Sequence, residues 1–318
     1  MTKLALAIHG GAGTILKSAM TPELEAEYRG GLEAALTAGW GVLDRGGSAL
    51  DTVEQAVCSL EDFALFNAGR GSVFTHDGKN EMDAAIMDGS SLKAGAVAFV
   101  RNVKNPIKLA RLVMEKTEHV LLAGDGAIQF AEEMEVELKD NAYFFTAHRW
   151  QQLEDAIASG KILLDHSQAE TRPLGSVPGG RETTLGTVGA VACDAQGHLA
   201  AATSTGGMTN KKFGRVGDTP IIGSGNYANE TCAVSCTGHG EYFMLDVTAY
   251  DLAARMKYKG LSLESAATET IDHLTSIGGE GGLIAVDSHG NVVLPFNSDG
   301  MYRGSLASSG ELRVEIYK

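Results

Sequence analysis

Cysteine, proline, aromatic residues and positive charge are all scarce in this 318-residue chain. Its four cysteines, Cys58, Cys193, Cys232 and Cys236, cannot frame a chain of this length with disulfides, and a reducing cytoplasm is the simplest home for them. The 26 basic residues against 40 acidic ones leave a net charge of −14. That balance excludes the basic face needed to attract nucleic acid or an anionic membrane surface, while still allowing a local positive site for an anionic ligand. No apolar run approaches membrane-spanning length. Met1-Thr2-Lys3 leads at once into Leu4–Ile8, which is too short for the apolar region of a secretory signal. Only 6 prolines stand against 40 glycines, a ratio that points to tight turns and close backbone approaches and not to disorder. Hydrophobic residues at 44% and charged residues at 21% are ordinary for a soluble globular chain, long enough to bury a substantial core in one large domain or two.

Hydrophobic spacing and punctuation set out the elements. Leu4–Ile8 reads as a strand running into His9-Gly10-Gly11-Ala12-Gly13. Thr21-Pro22-Glu23 starts a helix that runs to about Arg45, and Ser48 caps a second one through Leu60. Strands are expected at 72–75, 81–87, 94–100 and 120–122, with helices at 106–115, 127–134 and 149–159. After residue 187 come two hairpins, 188–193 with 198–205 and 283–286 with 292–294. Helices at 242–258 and 263–274 lie between them, and a last strand at 312–316 follows. Helices early, hairpins late and helix pairs between sheets suggest a layered α+β or αββα body, not a doubly wound βαβ sheet.

Between these halves, Lys161–Gly186 offers little to bury and reads as a linker. A structureless stretch of this length needs a reason, and exposing the next bond for cleavage is one. The bond in question is Gly186–Thr187, where the polar segment meets the apolar strand Val188-Gly189-Ala190-Val191. Glycine leaves its carbonyl open to attack, and the Thr187 hydroxyl is adjacent. Cleavage would free a threonine that carries both a nucleophile and an amine base. The reference pKa of an α-amino group, about 7.7–8.0, is already near working pH. The same threonine also fits a plain β-branched strand residue.

Three further blocks could carry chemistry. In Ala202–Lys211 the hairpin places Thr203 and Thr205 on one strand face and sets Thr205 beside Thr187, unless Thr205 is only a solvent-facing strand end. In Gly214-Arg215-Val216-Gly217-Asp218, one side chain can bind a carboxylate and the other an ammonium, so the pair suits a free α-amino acid end; the alternative is a mutual surface salt bridge. In Ser235-Cys236-Thr237-Gly238-His239-Gly240-Glu241, a glycine-rich helix start with the Thr237 hydroxyl could form an oxyanion hole, or Thr237 could simply cap the helix. Cys232, Cys236 and His239 invite a metal reading. The strand between the cysteines instead makes them small core residues, and His239 reads as an exposed residue.

Together, 186–191, 202–211, 214–218 and 236–240, with His9–Gly13 and Phe66-Asn67-Ala68-Gly69, resemble the plant-type L-asparaginase/isoaspartyl peptidase family of N-terminal nucleophile (Ntn) hydrolases. The resemblance covers essentially the whole chain. It implies a single Ntn-hydrolase domain over 1–318 with a four-layer αββα sandwich, cut between Gly186 and Thr187. The products would be an α subunit, 1–186, whose 161–186 stretch is a mobile linker, and a β subunit, 187–318, assembled as a dimer of αβ heterodimers. It implies Thr187 as nucleophile and Thr205 as its supporting hydroxyl, with Thr237 and Gly238 as the oxyanion hole. Arg215, Val216, Gly217, Asp218, Thr237, Gly238, His239 and Gly240 would bind L-asparagine or β-aspartyl dipeptides. No catalytic cofactor is implied. The loop Leu60–Arg70 resembles the family's sodium loop, with backbone carbonyls of Leu60, Glu61, Phe63, Phe66, Ala68 and Arg70 on a structural ion near the supporting Asn67, although the bulk of Phe63 and the guanidinium of Arg70 oppose a cation there.

Two alternatives stand beside this. One is a glycosylasparaginase-like hydrolase acting on sugar-linked asparagine, which the lack of a secretory signal and of a disulfide pattern opposes. The other, from a different class, reads Ile8–Gly13 as a phosphate cradle after a strand, as in amino-acid kinases.

Overall fold

The computed structural model describes residues 3–159, 186–308, 310 and 312–318, so the expected linker lies outside the described residues except for Gly186. Strand β1 (Ala5–Gly13) opens the chain and is followed by α1 (Pro22–Asp44) and α2 (Ala49–Glu61). Both helices start where the sequence places their caps: Thr21 Oγ1 accepts the Leu24 N–H and Ser48 Oγ the Asp51 N–H. Next come β2 (Met82–Asp88), β3 (Lys93–Val100), α3 (Pro106–Lys116), β4 (Leu121–Ala123), α4 (Gly124–Glu133), α5 (Asn141–Phe144) and α6 (Ala147–Ser159). The second half holds β5 (Val188–Cys193), β6 (Leu199–Thr205), β7 (Asn226–Ala228) and β8 (Cys232–Gly238). It ends with α7 (Gly240–Asp246), α8 (Thr248–Lys259), α9 (Leu263–Ser276), β9 (Gly281–Asp287), β10 (Val292–Val293), β11 (Gly300–Ala307) and β12 (Arg313–Tyr317).

Among the described residues these strands form two sheets, an eight-stranded one in the order β12-β11-β1-β5-β6-β2-β3-β4 and a four-stranded one in the order β10-β9-β8-β7. Only the β3–β4 pair is parallel. Side chains alternate across each strand, and that sorts the core into separate clusters. Leu6, Ile8, Val188 and Ala190 face α1, α2 and α3 on one side of the large sheet. Ala5, Ala7, Val191 and Ala201 face Ala233, Ile284 and Val286 of the small sheet. Val234, Cys236 and Leu283 face α8 and α9. With both faces of each central strand covered, β1, β5 and β6 are apolar almost throughout. The fold is α+β, as the sequence suggests. Among the described residues no helix is long and apolar enough to cross a membrane.

Three expectations need correction, and two strands were missed. The glycine run His9–Gly13 is no phosphate cradle: it lies inside β1, paired with β11, and no helix starts directly after it, the next α-helix beginning only at Pro22. Residues 72–75 form no strand; the Val73 N–H is taken by Asn67 Oδ1 instead. The single helix expected over 242–258 is two, broken at Val247, which adopts the left-handed conformation (φ 51°). Strands β7 and β11 were not legible, since Asn226-Tyr227-Ala228 is too short to show a period and β11 carries glycine and arginine among its apolar residues.

Candidate active site

The β5–β6 register pairs Val188 with Ser204, so Thr187 lies opposite Thr205 at the end of the two strands. Both are buried, Thr187 at 8% exposure and Thr205 at 3%, which removes the solvent-facing reading of Thr205. Thr187 Oγ1 donates to Thr205 Oγ1 at 3.2 Å, and Thr205 Oγ1 also accepts the Gly207 N–H at 2.9 Å. Asn67 fixes that turn from the other side: its Nδ2 donates to the Gly207 carbonyl at 2.8 Å and its carbonyl accepts the Gly206 N–H at 3.0 Å.

Gly186, Thr187, Thr205, Arg215, Gly217, Asp218 and Gly238 line one recess, with Gly207, Met208 and Thr219. Of the remaining sequence-derived candidates, Gly240 borders the same clamp: a methyl group added there would stand 2.7 Å from Asp218 Oδ1 and 2.9 Å from Arg215 Nη2. Val216 lies between Arg215 and Gly217 without lining the recess. His239 is half-buried, not exposed, with its ring stacked at 6.0 Å on Tyr242, and burial pushes its pKa down.

Arg215 and Asp218 do not form the mutual salt bridge that the sequence allowed. Arg215 turns to Glu241, while Asp218 is 4% exposed and its Oδ2 has no hydrogen-bond partner among the described residues. Burial pushes the Asp218 carboxyl up to about 7, against the opposing pull of the Arg215 charge. Thr237 is likewise fully buried, with its Oγ1 lacking a partner among the described residues. It does not cap a helix, since α7 starts after His239 with no side-chain cap. The helix expected to supply N–H donors is only 7 residues long, and the His239 N–H is taken by the Glu280 carbonyl. A buried polar atom without a partner costs stability, and of these two Asp218 Oδ2 lies on a residue lining the recess while Thr237 Oγ1 lies on the residue before the lining Gly238.

The 60–71 loop folds as successive tight turns. Phe63 N–H donates to the Leu60 carbonyl, Phe66 N–H to Phe63, Ala68 N–H to Phe66 and Gly71 N–H to Ala68. The Leu60 carbonyl also accepts from the Asp62 N–H, whereas a carbonyl with one such bond keeps a second lone pair, and an all-oxygen donor set suits a hard cation. Arg70 is exposed, its guanidinium 5.7 Å from the Tyr143 ring centroid. The buried cation on this loop is Arg149 of α6, which sequence reasoning missed, donating from Nε to the Gly71 carbonyl at 2.9 Å and from Nη2 to Leu65 at 3.2 Å. The Glu61 carboxyl accepts from the Ile107 N–H and from Ser204 Oγ at 2.6 Å, and burial pushes it up to about 8. Cys232 and Cys236 are buried in the apolar cluster under α8 and α9, as core residues.

Glu241 as the partner of Arg215 was also missed, as were Met208 and Thr219 as lining residues. No local pattern distinguishes a glutamate that reaches back across a loop from one that faces solvent.

Comparison with known proteins agrees with this geometry. The family model described as asparaginase matches residues 2–316. An isoaspartyl peptidase from Salmonella typhimurium is 52% identical over 305 residues, covering 95% of each chain. One from Escherichia coli is 50% identical, covering 95% of this chain and 92% of its own. A plant-type L-asparaginase from Pyrococcus furiosus is 46% identical over 301 residues, 94% of each chain. With whole-length similarity and the sequence blocks gathered around one recess, the chain belongs to the plant-type L-asparaginase/isoaspartyl peptidase family and is an enzyme of that hydrolase family.

Proposed function

We propose that the protein cuts its own Gly186–Thr187 bond and then, through Thr187, hydrolyses β-aspartyl dipeptides and L-asparagine to release L-aspartate. The observation that carries this reading is the meeting, at one recess, of the buried Thr187 hydroxyl and the unpartnered Asp218 Oδ2, with the unpartnered Thr237 hydroxyl on the residue just before the lining Gly238.

In processing, Thr187 Oγ1 attacks the Gly186 carbonyl carbon, the C–N bond breaks, and water hydrolyses the resulting ester. This frees the Thr187 α-amine. In turnover, Asp218 takes the substrate α-ammonium and Arg215 the α-carboxylate, which turns the β-carbonyl and not the α-carbonyl towards Thr187. Thr187 Oγ1 attacks that carbon while its own amine accepts the hydroxyl proton. The Thr237 hydroxyl and the Gly238 N–H stabilise the oxyanion, about 3–4 kcal/mol for such a donor in comparable sites. The proton then passes to the departing ammonia or amine, and water cleaves the acyl ester to give aspartate.

The same reading makes the two sheets and their covering helices a four-layer αββα Ntn-hydrolase sandwich of one domain. Its 1–186 and 187–318 pieces stay associated and pair as a dimer of heterodimers. It also assigns the 60–71 carbonyls to a structural sodium ion, with no role in the chemical steps.

Replacing Thr187 by alanine tests it. The expected product is one uncleaved 318-residue chain that releases neither ammonia from asparagine nor aspartate from a β-aspartyl dipeptide. A variant that splits and turns over like the parent contradicts the assignment.

A further inference from the structure

Behind the recess, in the core between the two sheets, His9 of β1, Thr203 of β6, Asn226 of β7 and Ser235 of β8 are all fully buried. They form a continuous hydrogen-bonded chain that the mechanism above does not use. Asn226 Nδ2 donates to Thr203 Oγ1 at 2.9 Å, and Thr203 Oγ1 meets Ser235 Oγ at 2.7 Å. Ser235 Oγ meets His9 Nε2 at 2.9 Å, and His9 Nδ1 meets the Thr187 carbonyl oxygen at 3.0 Å.

The bond directions are set from the Thr187 carbonyl end. A carbonyl only accepts, so the proton is on His9 Nδ1. A neutral imidazole then offers Nε2 as an acceptor, which obliges Ser235 to donate. Ser235 Oγ is left to accept from Thr203, at 2.7 Å a closer acceptor for that single hydroxyl hydrogen than the Gly225 carbonyl at 3.3 Å, and the Thr203 oxygen accepts from the amide of Asn226. The donor amide of Asn226 at the far end is compatible with that polarity. Burial supports it by pushing the His9 pKa down to about 3, so the ring is neutral throughout the working range.

We propose that His9 is a positioning residue for the nucleophile, acting through the carbonyl of Thr187 with Ser235, Thr203 and Asn226 holding its tautomer. The proposal rests on Thr187 being the nucleophile. Once the Gly186–Thr187 bond is cut, Thr187 keeps one covalent tether, through Val188. Its hydroxyl is then held by Thr205 and its carbonyl by His9, one on each side of the Cα–C bond. Those two bonds together stop the freed residue from swinging its hydroxyl and amine away from the substrate. Gly189 is part of the device: a methyl group there would overlap Ser235 Oγ and His9 Nε2.

The test compares His9→Leu, His9→Gln, His9→Asn and Ser235→Ala in the full-length enzyme. For each, intact mass gives the cleaved fraction and thermal unfolding the fold. Steady-state hydrolysis of a β-aspartyl dipeptide is then expressed per cleaved chain. An asparagine amide offers an N–H near the position of Nδ1, whereas a glutamine amide reaches only the position of Nε2. His9→Leu and His9→Gln are expected to lose kcat on the order of 10²-fold with KM nearly unchanged, and His9→Asn to recover most of it. Ser235→Ala, which frees the tautomer but keeps the ring, should lower kcat by a smaller factor at constant KM. Equal kcat in His9→Gln and His9→Asn, or parental kcat in His9→Leu, overturns the role of His9. If no His9 variant folds, Ser235→Ala decides: parental kcat overturns the proposal and a loss of kcat alone supports it. Failure of the parent enzyme itself to form a fragment starting at Thr187 would remove the underlying reading, and the His9 role with it.

Discussion

Glu241 holds Arg215 through two parallel charge-assisted bonds, Nε to Oε1 and Nη2 to Oε2, both at 3.0 Å. The fork geometry fixes the guanidinium plane at the mouth of the recess, and only arginine can present it. Arg215→Lys keeps the charge and loses the fork. The expected result is a KM raised about 10- to 100-fold, the equivalent of one charged hydrogen bond of roughly 1.5–3 kcal/mol, with kcat less affected. Glu241→Gln should raise KM by a smaller factor, because the guanidinium loses its charged anchor but not its place. Initial rates over a substrate series check both.

Asp218 gives a pH prediction of definite sign. A buried carboxyl raised to about 7 is largely neutral in mildly acidic solution, and a neutral acid does not bind an ammonium well. The value of kcat/KM should therefore fall as pH drops below about 7, and a substrate analogue lacking the α-amine should lose this acidic limb. Stability moves the other way. The unfolded carboxyl ionises near 3.8 and the folded one near 7, so the native state binds the extra proton between them and stability declines as pH rises through that window. Asp218→Asn removes the penalty. Above pH 7 it should be more stable than the parent, by at most about 4 kcal/mol, and so unfold at a higher temperature, while binding substrate far more weakly.

Gly240 offers a change confined to the site. An added methyl would press on Asp218 Oδ1 and Arg215 Nη2 and touch the substrate clamp before the core. Gly240→Ala is expected to raise KM strongly with little change in the melting temperature. Gly189→Ala makes the contrast, since its methyl enters the closed space between the sheets and should cost about 1–3 kcal/mol of stability as well as kcat.

Where local chemistry decides, the sequence was legible. The caps at Thr21 and Ser48, the hairpin that pairs Val188 with Ser204, and the alternation that separates Thr203 from Ser204 all follow from short-range rules, and each stands where it was expected. The parts that were not legible depend on residues far apart in the chain. Ser235 reaches His9 across 226 positions and Arg149 reaches Leu65 across 84, and no local period announces either. The same holds for Asp218: a loop acid looks solvated until the fold closes over it. The break at Val247 comes from a left-handed residue of a type that rarely adopts that conformation, so the helical pattern ran straight through it.

Arg149 can be tested apart from catalysis. Arg149→Met keeps the apolar stem and strands the Leu65 and Gly71 carbonyls, which should cost about 1–3 kcal/mol for each buried group left unpaired. Thermal unfolding with and without sodium reads the result, and the variant should depend more on the cation if the loop's other carbonyls hold one.

The most direct measurement follows one purified sample over time, by intact mass and by aspartate release from a β-aspartyl dipeptide. The expectation is that a fragment beginning at Thr187 appears and that activity rises in proportion to it. Full activity from a chain that remains 318 residues long would contradict the account.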